Sequence, residues 1–146
     1  MERKKAVLGV LAAAGSAIAN LLGGWDGALA LLLCMMAADC LTGWLVAAVW
    51  KKSNKSPGGA LDSRAGWKGL CRKGTVLMMV WVGVMLDTAL GVSYARTAVC
   101  LFFAGNEGLS LLENLGLMGV PFPKCLKDTL EALRSEGDKG EGHENG

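Results

Sequence analysis

The chain has 146 residues, is 52% hydrophobic and carries a formal net charge of +2. Its one histidine, His143, lies near the C-terminus, which leaves Ser/His/Asp triad chemistry and a Cys/His metal centre nowhere to sit. No catalytic residue, metal or cofactor is therefore expected, and the five cysteines (an odd number with no C-x-x-C) read as free thiols acting as small apolar side chains.

Mean hydropathy is only +0.37, so the information lies in how the apolar residues are grouped. They form four runs, roughly residues 6–22, 27–50, 74–90 and 96–118. A membrane-spanning helix needs about 20 mostly apolar residues.

The chain opens with Arg3, Lys4 and Lys5, followed by the first run, Ala6–Leu22. This start shares features with a secretory signal, including small residues at Ala17-Ile18-Ala19. An uncleaved first span is the expectation. Gly9, Ala13, Ser16 and Asn20 recur every three or four positions and share one helix face. Small residues let membrane helices approach closely. The face suits helix packing or oligomerisation, and whether it packs within one protomer or between protomers is open.

Gly23-Gly24-Trp25-Asp26-Gly27 predicts a tight turn. The second run, Gly27–Trp50, contains a single charged group, Asp39. Trp25 and Trp50 flank it as interface anchors, since the indole ring is apolar while its N–H wants water. As a helix their separation spans ~37 Å, a hydrocarbon core plus part of each interface.

The connection Lys51–Lys73 holds Lys51, Lys52, Lys55, Arg64, Lys68, Arg72 and Lys73. Ser53 to Gly59 is turn chemistry. Trp67, a third anchor, and Leu70 then suggest a segment resting on the membrane surface, with a solvated loop as the alternative. The third run, Gly74–Leu90, reaches span length only with Asp87 and Thr88 at an interface. After Gly91–Ala95 the fourth run, Arg96–Met118, carries several polar residues. Pro121-Phe122-Pro123 stops it. Leu126, Leu130 and Leu133 then predict a short amphipathic helix over 124–134, and residues 135–146 read as a disordered tail.

Every basic residue except Arg96 lies in the N-terminus, the middle connection or the C-terminal segment. Lys and Arg beside spans stay cytoplasmic. The expected fold is all-α: an integral membrane protein with four transmembrane helices plus the C-terminal amphipathic helix, both termini cytoplasmic. A soluble helical bundle is the alternative. Nucleic-acid binding is not expected, because the basic residues bracket apolar spans.

Asp39 lies ~18 Å along the second run and Glu107 ~16 Å along the fourth, both near mid-depth. An ionised carboxylate there costs at least ~2.5–3.5 kcal/mol. No Lys or Arg is expected inside the spans to offset it, with Arg96 only at an edge. On a helical wheel Asn106, Glu107, Ser110, Glu113 and Asn114 occupy an arc of about 120°. Asp39, Gly43 and Ala47, with Thr42 beside them, form a narrower face on the second helix. This stripe is either a hydrogen-bonded glue between helices or a surface that becomes wet on assembly, lining or gating a pore.

Asp39-Cys40-Leu41-Thr42-Gly43 resembles the D-x-x-T-G motif of the bacteriophage holin family, which includes the toxin-secretion and phage-lysis holins. Gly66-Trp67-Lys68-Gly69-Leu70-Cys71-Arg72-Lys73 is similar to the basic segment that follows in that family. Asn106 to Asn114 is close to its N-E-x-x-S-I-x-E-N pattern, with Leu111 in place of Ile. Gly119 to Lys124 and the Leu126–Leu133 helix look like its C-terminal end. The resemblance covers about residues 27–134. It implies a non-enzymatic protein that self-associates in the host cytoplasmic membrane and opens lesions. Its partners would be the lipid bilayer, further copies of itself, an endolysin or toxin crossing as cargo without a specific site, and an antiholin as a further candidate. Two alternatives stay open: a proton- or ion-coupled transporter subunit using Asp39 and Glu107, and an antiholin-like regulator that does not permeabilise.

Overall fold

A computed structural model describes residues 1–139, and every regular element among them is a helix. His143 and the rest of residues 140–146 lie outside the described residues. Helix α1 is Glu2–Leu21, α2 is Gly27–Leu45, α3 is Ser63–Leu90, α4 is Ala95–Met118 and α5 is Lys124–Lys139. A π-helical turn, Val46–Trp50, continues α2.

The boundaries have local causes. The Asp26 carboxylate accepts the Leu29 backbone N–H at 2.9 Å and caps α2, satisfying one of the free donors at its start. Asp62 caps α3 in the same way through the Arg64 N–H at 3.0 Å. Helices α3 and α4 end on Gly91 and Gly119 at φ 67° and 76°, a left-handed conformation that costs glycine little.

Three helices are long and apolar enough to cross a membrane: α1 at mean hydropathy 1.2, Gly27–Trp50 at 2.0 and α3 at 1.4. Helix α4 is not among them. Its place in the fold gives the reason. It is the central helix, with α2, α3 and α5 all packed on it, and it contributes more buried residues than any other element. A helix shielded by protein on several sides can hold polar residues that a lipid-facing helix cannot.

Helices α2 and α4 run parallel and α3 runs against both. At one end Arg96 meets Asp26 and Asp87 meets the start of α4. Further along, Asn114 meets Asp39. The half of the bundle near Asp26 has an apolar core of Leu22, Leu29, Leu32, Met36, Val76, Val80, Cys100 and Ala104. The half toward Trp50 has a polar one.

Two expectations change. The third helix begins at Ser63 rather than Gly74, so Trp67 and Leu70 belong to its first turns and not to a separate surface segment. The Asp62 cap starts it early, and no proline interrupts it. The C-terminal helix runs on to Lys139, past the Arg134 expected as its end and into the stretch read as disordered. It folds back antiparallel along α4. A Cβ on Gly105 would lie 2.7 Å from the Arg134 backbone nitrogen, and Gly137 sits against Ala98 and Phe102. Helix α1 stands off the bundle, a point on which the sequence left both kinds of packing open. None of its residues is buried, and Gly9, Ala13, Ser16 and Asn20 all face open space.

Candidate functional site

The polar half of the core is built around one cation. The buried face of α3 repeats as Lys73, Val76, Val80 and Gly83, so Lys73 extends an apolar row toward the middle of the bundle. Its ammonium group donates to Asp39 Oδ2 of α2 at 2.9 Å and to Glu107 Oε2 of α4. The carboxylate side chains are 6% and 5% exposed and that of Lys73 16%, so this is a nearly dry three-helix contact.

The other oxygen of Asp39 is also filled. Asn114 Nδ2 donates to Asp39 Oδ1 at 3.1 Å and to Thr42 Oγ1 at 3.0 Å. Thr42 in turn donates to the Ala38 carbonyl at 2.8 Å. Gly43 stands beside this pair and leaves room for it: a Cβ there would lie 3.6 Å from Asn114 Nδ2. Among the described residues no buried side-chain nitrogen or oxygen lacks a partner.

A second cation reaches in from outside. The segment between Lys51 and Asp62 folds over the cluster, pinned by the Ser53 N–H on the Gly59 carbonyl at 2.9 Å and by Ser56 Oγ on the Ala60 carbonyl at 2.7 Å. It carries Lys55 to within 3.5 Å of Asp39 Oδ1 and 3.4 Å of Ser110 Oγ. Lys73 alone leaves the two acids one charge short of neutrality. Lys55 completes it, from a half-exposed position. Beneath the segment, between α2 and α3, is a cavity of about 390 Å³ lined by Trp44, Ala47, Leu61, Leu70 and the ionic cluster.

At the opposite end Arg96 forms a second polar junction. Its guanidinium donates to the Leu22 and Gly24 carbonyls and to both oxygens of Asp26, with Nη2 to Gly24 at 2.7 Å. Asp87 accepts the backbone N–H groups of Ala95 and Arg96 at 2.8 and 3.1 Å and so caps α4. The hydrogen bonds from Arg96 hold the Asp26 carboxyl below the usual carboxylate value of 3.8.

The structure thus brings together Asp39, Thr42, Glu107, Ser110, Asn114 and Gly43. It leaves Glu113 exposed and Asn106 half-buried at the margin. Trp25, Trp50 and Trp67 are all exposed. The absence of an offsetting cation is corrected: Lys73 supplies one, because the third helix starts early enough to include it. Lys73 and Lys55 were not among the candidate site residues. For Lys73 a partial signal existed, since it continues the helix face of Val76, Val80 and Gly83, but Arg72 fits that spacing too and only the structure shows it exposed. For Lys55 there was none, because a loop's fold-back is not periodic.

No solved structure matches the chain. A protein from the nagH 3′ region of Clostridium perfringens is 37% identical over 84% of this chain and 88% of its own length. A Bacillus subtilis protein, YqxH, is 36% identical over 73% of this chain and 71% of its own. A protein of Bacillus phage phi105 named "Probable holin" is 35% identical over 75% of this chain and 76% of its own. Residues 16–135 match the bacteriophage holin family, to which the chain therefore belongs.

Proposed function

We propose that this chain is a lesion-forming holin of a bacterial cytoplasmic membrane. Copies assemble, the assembly opens, and an endolysin or toxin crosses. All four helices α1 to α4 would span, with the Asp26 turn outside and the N-terminus, the Lys51–Asp62 segment and, in the resting protomer, the C-terminus inside. Helix α4 shares the depth of α2, because Glu107 and Asp39 bond the same ammonium group.

The observation that carries the reading is the placement of that cluster. Two acids, two cations and three amide or hydroxyl side chains fill half of an otherwise apolar core. Membrane proteins rarely hold such groups at depth without using them. In the resting protomer they satisfy one another. When α3 moves away from α2 and α4, Asp39, Thr42, Asn106, Glu107, Ser110, Glu113 and Asn114 are left to water and can line or gate the opening. Collapse of the membrane potential is the proposed trigger. The field acts on a charge at ~2.3 kcal/mol per 100 mV, scaled by the fraction of the field crossed.

The test is inducible expression in a bacterium, with a folded cytoplasmic enzyme assayed in the medium. The enzyme should appear abruptly, and Glu107→Gln and Asp39→Asn should shift the time of its appearance. A transporter subunit would leak ions and retain the enzyme, and a regulator would leave the cells viable. Either result overturns the proposal.

A further inference from the structure

We infer that α5 is a water-facing wall of the opening, docking along α4 when copies assemble. This rests on the lesion-forming reading above.

The argument begins with depth. The α4 helix has 24 residues, and the contacts of its Arg96 with Asp26 and of its Asn114 with Asp39 keep it level with α2. Helix α5 lies along α4 over much of that length. Leu130 packs on Gly108, Arg134 passes Gly105, and Gly137 reaches Ala98 and Phe102, within about two turns of Arg96. The docked helix is therefore inside the depth of the spans and not beside them.

Its two faces differ sharply. The inward row is Leu130, Leu133 and Gly137, while Leu126 in the first turn is exposed. The outward surface exposes Lys127, Asp128, Glu131, Arg134, Glu136 and Asp138. Charged side chains facing lipid at that depth are expensive. The thin leucine row gains little from leaving lipid tails for protein, because both are apolar. A single protomer in a bilayer therefore cannot hold α5 in this position. The position is stable only where the outer face of α5 meets water, and a ring of copies around an aqueous opening supplies that water.

The glycines bear this out geometrically. At Gly105 and Gly137 the helices approach so closely that any Cβ would clash with backbone. Docking is thus a specific fit, and it runs from Leu130 to Gly137. Before assembly α5 rests at the cytoplasmic surface, the region to which its own lysines and arginine are drawn. The outer face mixes both signs along its length. Such a wall suits passage of a folded protein of any charge.

Spin labels at Tyr94→Cys and Asp138→Cys, in a chain with its native cysteines replaced, read the docking directly. Measurements are made in vesicles that trap a folded enzyme. In vesicles that release the enzyme, the label distance should fall below the hydrocarbon thickness of about 30 Å. A label at Glu131→Cys should then be reached by a water-soluble relaxation agent. Gly105→Leu and Gly137→Leu block docking from either helix, and the second leaves α2, α3 and α4 untouched. Both should lower release at least tenfold. Release at the normal rate with α5 undocked, release hastened by the leucine variants, or a docked α5 whose Glu131 label contacts lipid would each overturn the inference and leave the holin reading standing. Vesicles that release nothing would overturn that reading instead.

Discussion

Lys73 bonds Glu107 at the level where the apolar core of the bundle ends, and this contact ties α3 to α4. Because the same ammonium group also holds Asp39, one side chain joins three helices. Removing it leaves two buried carboxylates facing each other with only the half-exposed Lys55 nearby. Breaking a buried ionic contact from one side costs about 3–5 kcal/mol.

Lys73→Met should therefore lower the thermal midpoint in detergent micelles and advance lysis in cells. Adding Glu107→Gln and Asp39→Asn to Lys73→Met should recover much of the loss, because neutral partners can bond one another. A thermal-melt cycle over these variants measures the coupling. If Lys73→Met melts like the parent chain, the cluster does not hold the helices together.

Lys55 contributes differently. Its side chain is 52% exposed, so water screens its attraction to Asp39, and its loss should change global stability by less than about 1 kcal/mol. It should instead loosen the segment over the cavity. Lys55→Glu, which places a third acid beside Asp39, should speed proteolytic cleavage between Ser53 and Gly59. The melting temperature should stay near that of the parent. Limited digestion with the same protease on both chains decides it.

Asp26 and Arg96 make their end of the bundle independent of mild acid. The Asp26 carboxyl is held below 3.8 by Arg96, so its folded-state value lies under its unfolded one. The stability it adds is fully present above the unfolded value and is lost as pH falls through the folded one. The melting difference between the parent and Asp26→Asn should be constant from about pH 7 to about pH 5 and shrink only below that. A difference that already shrinks between those two values would show that the junction titrates elsewhere.

Gly83 sits where α3 crosses α4. A Cβ there would lie 2.8 Å from Arg96 Cα, whereas one on Gly74 would meet nothing within 4 Å. Gly83→Ala should cost about 1–3 kcal/mol by forcing the helices apart. Gly74→Ala, in the same helix, should be neutral or slightly stabilising, since alanine restricts the unfolded chain more than glycine does. Paired melts of the two variants test the crossing.

Much of this organisation could be read from the residues alone. Runs of apolar residues bounded by Gly-Gly-Trp-Asp, by Gly91 and by Pro121-Phe122-Pro123 locate the helices, because turn chemistry and hydropathy act over a few neighbouring residues. Asp39 and Glu107 are conspicuous for the same reason: a charge within an apolar run is visible locally. The family could be reached as well, since its motifs are short and ordered along the chain.

The partners of those acids could not be found that way. Lys73 looks like one more cation in a basic connection until an Asp62 cap starts α3 early and turns its side chain toward Asp39 and Glu107. Local pattern placed α5 as a helix, but nothing in it says that Gly105 and Gly137 let it lie back along α4. Nor does local pattern show that α1, whose small-residue face invites packing, buries none of its residues against the other described elements. Pairing across dozens of residues depends on which backbones can approach and which charges must be neutralised together, and only the assembled bundle decides both.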